Sequence, residues 1–150
     1  MSLRTKALAM CCVVLSMVVG CAWQPIAYTP NPAAVPDPVE DLSRRILTQR
    51  YAPLRLEIDE TSITLFYLSS RRPRVTIFYD EIEEITMVTA RSRYAVKVVA
   101  GAERRVWHYH ADSQEDAQEF VDALTALVQR VSVERRPSDE RGHARRETKI

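Results

Sequence analysis

The chain has 150 residues, a formal net charge of +1 and 27% charged residues. That length suits one domain, and the near-neutral total excludes a protein built mainly to grip nucleic acid, where a strong basic excess is expected. Three glycines, Gly20, Gly101 and Gly142, make no phosphate-cradling loop, and all three cysteines fall within the first 21 residues.

Residues 1–20 have the three parts of a secretory signal: basic Arg4 and Lys6, an apolar run from Ala7 to Val19, and small Gly20 before the cut. Thirteen apolar residues span only about 20 Å as a helix, too short for a comfortable membrane crossing. Val18-Val19-Gly20-Cys21 resembles a bacterial lipobox, with a branched apolar residue, a tolerated Val19, a small Gly20 and the cysteine itself. The resemblance implies cleavage between Gly20 and Cys21, a diacylglycerol thioether on Cys21, and N-acylation of the new terminus. Multiple acyl chains give stable anchoring, since each buried methylene contributes about 0.8 kcal/mol. Ala22 stands where an Asp tends to retain such proteins in the inner membrane. The expected address is therefore the outer membrane, facing the periplasm. Once Arg4 and Lys6 leave, 19 Lys and Arg face 20 Asp and Glu, and the mature part holds no cysteine besides Cys21.

Residues 22–38 carry Pro25, Pro30, Pro32, Pro36 and Pro38 without helical or strand periodicity. They read, with Cys21, as an extended tether over 21–38 that reaches on the order of 50 Å from the bilayer. A domain over 39–131 follows. A short helix is expected over 39–51, with Pro38 in its first turn, Glu40 and Asp41 at its positive end, and Leu42, Ile46 and Leu47 as its apolar stripe. Pro53 bars its continuation.

From Leu54 to Ala111 the period is two, which predicts six antiparallel strands. The apolar positions are Leu54, Leu56 and Ile58; Ile63, Leu65 and Tyr67; Val75, Ile77 and Tyr79; Ile85 and Met87; Tyr94, Val96 and Val98; and a last strand over 104–111. In that last strand Trp107, Tyr109 and Ala111 face inward if Val106, His108 and His110 face outward, and the opposite register is open. A helix over 113–131 is capped by Asp112 or Ser113, with Ala117, Phe120, Val121, Leu124, Leu127 and Val128 as its stripe. Residues 132–150 are charged and poor in apolar side chains, so disorder is expected.

The fold class is α+β: a small antiparallel barrel or strongly bent sheet of six to seven strands, capped by a C-terminal amphipathic helix and preceded by a short one. Residues 52–131 resemble a pleckstrin-homology domain. The similarity lies in Val75-Thr76-Ile77-Phe78-Tyr79-Asp80-Glu81-Ile82, the strand Tyr94–Val99, the aromatic strand Val106–Ala111, and Phe120 and Leu124 of the closing helix. It implies a binding module for proteins or lipid headgroups, and fold alone does not choose between them.

Arg71, Arg72 and Arg74 lie between the second and third strands, Arg91 and Arg93 between the fourth and fifth. In a single meander alternate hairpins share an end, so these five form one rim suited to anionic groups or a protein partner. The plainer reading is a set of solvated hairpin tips. Asp80, Glu81, Glu83 and Glu84 read as a solvated turn, since their spacing matches no calcium loop. His108 and His110 offer two ligands with no third identifiable, so no metal site is assigned and no cofactor is implied. No nucleophile elbow or paired acid and base marks a catalytic site. The expectation is a non-catalytic, lipid-anchored envelope protein that binds another envelope protein and no nucleic acid. The alternative is a carrier or sensor of a small anionic ligand, a lipid headgroup or a glycan.

Overall fold

A computed structural model describes residues 22–68, 71 and 73–143, with side chains to 133. The signal segment 1–20, Cys21, Ser69, Ser70, Arg72 and residues 144–150 lie outside the described residues. Seven strands and two α-helices follow in order: β1 (Gln24–Ile26), α1 (Pro38–Thr48), β2 (Arg55–Ile58), β3 (Ser62–Phe66), β4 (Arg74–Phe78), β5 (Ile82–Ala90), β6 (Arg93–Ala100), β7 (Arg105–Ala111) and α2 (Gln114–His143). Single 3-10 turns occupy Pro32–Ala34 and Tyr79–Glu81.

The strands form two antiparallel sheets, β2-β3-β4 and β1-β5-β6-β7, and they do not close into a barrel. The N-terminal part of the chain meets the β5-β6-β7 ladder on both flanks. β1 pairs with β5, Gln24 opposite Thr89 and Ile26 opposite Met87. On the far edge, the Gln49 side-chain carbonyl accepts the His110 backbone N–H at 3.0 Å. Both flanks are thus partly engaged, and among the described residues no ladder joins β4 to β5. The chain passes from one to the other through the Tyr79–Glu81 turn, and Trp107 on β7 donates its indole N–H to the Tyr67 hydroxyl beyond β3 at 3.1 Å.

The core lies between the sheets and α2. Ile63 and Leu65 of β3, Val96 and Val98 of β6, Tyr109 of β7, and Phe120 and Leu124 of α2 are almost fully buried. Tyr109 stacks on Phe120, ring centroids 4.1 Å apart. Tyr109 therefore faces inward, with Trp107 packed against the core beside it, and Val106, His108 and His110 point away. Ser113 supplies the N-cap of α2, accepting from the Asp116 N–H. Asp37 caps α1 through the N–H groups of Val39 and Glu40.

Four expectations need correction. Residues 22–38 are not an extended tether: they hold β1, the first 3-10 turn and the cap of α1. The Pro25 of β1 is tolerated because β1 is an edge strand, where one face of the backbone needs no ladder partner. Helix α1 stops at Thr48 because Gln49 turns to an extended conformation. Leu47 is about half exposed, since it lies five residues from Leu42 and so off the stripe that Leu42 and Ile46 share. Finally, α2 continues to His143, through part of the stretch expected to be disordered. A helix already nucleated and packed extends at little cost through good helix formers such as Glu and Arg.

Candidate functional site

Four of the five rim arginines are among the described residues, and they divide between the sheets. Arg71 is exposed in the β3–β4 link, and Arg74 opens β4. Phe66 sits opposite both Arg55 on one path and Arg74 on the other, through the pairings β2-β3 and β3-β4. The Arg55 guanidinium lies 4.0 Å from the Phe66 ring centroid and that of Arg74 5.7 Å away, so the ring is shared by two cations. Arg91 and Arg93 belong to the four-stranded sheet, at the two-residue β5–β6 hairpin, and both are exposed. Arg91 has a φ of 57°, the left-handed backbone that a tight hairpin demands of its first turn residue. A single continuous meander underlay the expectation of one rim. The break at Tyr79–Glu81 puts Arg74 in the three-stranded sheet and Arg93 in the four-stranded one.

A different cluster forms on the outward face of β7. The Tyr51 ring meets the His110 ring edge-on at 4.9 Å, and the Arg50 guanidinium lies 5.5 Å from the Tyr51 ring centroid. The His108 and His110 rings are 6.4 Å apart, and Lys97 stands opposite His108 on β6. Burial pushes the His110 pKa down, and His108, Arg50 and Arg93 push it further in the same direction. Burial and then Lys97 do the same to His108. Surroundings this positive are poor for a metal cation. Among the described residues no group of three or more His, Cys, Asp or Glu side chains is arranged to hold one. Arg50 and Tyr51 were not singled out in the sequence. They follow α1, some sixty residues before His110, and no local pattern links them to it.

The acidic run is matched by cations. Glu83 pairs with Arg104 at 3.2 Å, and Glu84 with Lys97 at 3.0 Å and Arg104 at 3.6 Å. Asp80 and Glu81 sit in the 3-10 turn, whereas Glu83 and Glu84 belong to β5.

Two open clefts flank the N-terminal segment. One, of about 430 Å³, is lined by Asp37, Glu40, Asp41, Arg44, Glu119 and Asp122 among others. Arg45 spans its floor, bonding Asp41, Asp116 and Glu119. The Asp41 carboxyl stays below its usual range: burial works against this, and the hydrogen bonds from Arg45 and Arg44 outweigh it. In the same cleft lining, buried Asp122 accepts the Tyr28 hydroxyl at 3.0 and 2.9 Å and the Asn31 N–H at 2.7 Å. Burial first, and Asp122 second, push the Tyr28 pKa up to about 12. The second cleft, of about 490 Å³, is apolar, with Pro25, Ile26, Tyr28, Ile85, Met87 and Val121 in its walls. Both are open to the surface.

No protein-family model, curated protein or solved structure matches the chain. Among the described residues no helix is long and apolar enough to cross a membrane.

Proposed function

We propose that the chain is a lipid-anchored envelope protein, held through Cys21, whose folded part is a non-catalytic protein-interaction module of pleckstrin-homology-like arrangement. The observation that carries the reading is Val18-Val19-Gly20-Cys21 at the end of a basic and then apolar leader, with no other cysteine downstream. Two antiparallel sheets with an amphipathic helix across them support the pleckstrin-homology comparison. The address is the outer membrane, periplasmic side.

Replacing Cys21→Ser tests the anchor: the protein is expected to leave the membrane fraction, and undiminished membrane association defeats the reading. Cross-linking in intact cells tests the module, with one discrete envelope protein as the expected product. Charge reversal at Arg72 and Arg93 tests the arginines; unchanged capture of that product and unchanged lipid binding would remove them from the site.

A further inference from the structure

The register of β1 fixes which end of the domain lies nearest Cys21. β1 is antiparallel to β5 with Gln24 opposite Thr89, so Trp23 and Ala22 approach from the side of Ala90 and the β5–β6 hairpin. The three residue steps from Cys21 to Gln24 span at most about 11 Å. A tether of 50 Å does not exist to hold the domain away, because the chain from Gln24 onward is paired to β5 and latched to Asp122.

The groups gathered at this end suit a bilayer surface. Trp23 is 43% exposed and Tyr51 56% exposed. Arg50, Arg91 and Arg93 are exposed, and Arg50 and Arg93 are both near enough to His110 to act on its charge. The sheet order β1-β5-β6-β7 lays these side chains out in sequence: Trp23 by the outer strand, Arg91 and Arg93 at the central hairpin, Tyr51 and Arg50 at the far edge. Four strands span about 14 Å. Aromatic side chains with a polar edge settle at the membrane–water interface, and arginines pair with phosphate. Asp112 and Glu115 are exposed at the same end, so the basic surplus is small. This surface suits a domain already tied to the membrane more than a free-standing lipid binder.

Resting on the lipid anchor proposed above, we infer that this end of the four-stranded sheet, with Trp23, Tyr51, Arg50, Arg91 and Arg93, lies against the anionic phospholipid surface to which Cys21 is attached. Arg74 belongs to the other sheet, and Arg71 to the link before it.

The test uses the full, lipidated chain in vesicles of phosphatidylcholine with or without phosphatidylglycerol. Maturation removes Cys11 and Cys12, and acylation blocks Cys21, so Ser92→Cys and Ala102→Cys each give one nitroxide site. Ser92 lies in the near hairpin and Ala102 in the β6–β7 turn at the opposite end. The expected result is at least twofold greater relaxation by lipid-soluble oxygen at 92 than at 102, and greater still with phosphatidylglycerol present. Equal, water-like exposure at both sites, in protein that still floats with the vesicles, overturns the orientation and leaves the anchor intact. Flotation of the Cys21→Ser protein overturns the anchor itself. Equal immersion at 92 in both vesicle types overturns the role of the arginines. In Trp107→Phe protein, bromolipid quenching of Trp23 gives an independent reading, and its absence counts against the contact.

Discussion

Helix α2 is held from two sides by the N-terminal part of the chain, and the two attachments are built differently. Against α1 the contact is apolar with a charged border: Leu42 and Ile46 are fully buried, and Arg45 bonds Asp116 and Glu119 on α2. Against the preceding segment it is polar: the Tyr28 hydroxyl, shared between both carboxylate oxygens, and the Asn31 N–H donate to buried Asp122. Burial of apolar area is spread over many contacts and fails only when volume is lost. A carboxylate latch concentrates its contribution in one side chain, so a single isosteric change loosens it.

The sharpest way to break this contrast is Ile46→Ala or Leu42→Ala. Each should destabilise the protein by about 2–5 kcal/mol, read from the urea midpoint, because a fully enclosed side chain leaves a cavity. A loss below about 1 kcal/mol would mean that α1 is not part of the core. Next is Arg45→Met, which keeps the aliphatic stem and removes the guanidinium from three carboxylates. About 1–3 kcal/mol should be lost, and added salt should narrow the gap between the two proteins. Asp122→Asn should cost about 1 kcal/mol globally. Its local effect is the diagnostic one: amide exchange should rise over 24–31 while β6 keeps its protection, and the Tyr28 hydroxyl should titrate below its native value of about 12. Uniform exchange across the chain would erase the distinction between the attachments.

The smallest effect expected is on pH dependence. His108 and His110 have folded pKa values below the ordinary 6.5, chiefly through burial. The unfolded chain therefore binds more protons than the folded one as pH falls through about 6.5, and stability declines in that window. It is fully present above that pH. Urea midpoints should fall as pH is lowered from about 7.5 to about 5.5, and His108→Gln with His110→Gln should flatten the change. An unaltered slope in the double variant would assign the dependence to other groups.

The six strands between Leu54 and Ala111 and the stripe of α2 were legible because period two and period 3.6 are local patterns that burial enforces. Leu47 misled because an apolar residue one step off a stripe still looks like part of it. The segment from Gln24 to Asn31 was illegible for a different reason. Its three-residue strand contains Pro25, and its partner strand lies some sixty residues on. Asp122 resembles any polar residue of a surface helix until Tyr28 is set beside it. The Arg50, Tyr51 and His110 cluster is likewise a product of tertiary contact. For the arginines, the sequence showed the hairpins but not the break at Tyr79–Glu81 that assigns them to separate sheets.

Gln49 gives the sheet a further property. An edge strand with free N–H and C=O groups is a template on which another chain can add a strand. On β7 the His110 N–H is already engaged by the Gln49 side chain, and on β5 the stretch Met87–Thr89 is covered by β1. Gln49 and β1 thus reduce the free backbone groups that β7 and β5 offer for strand addition.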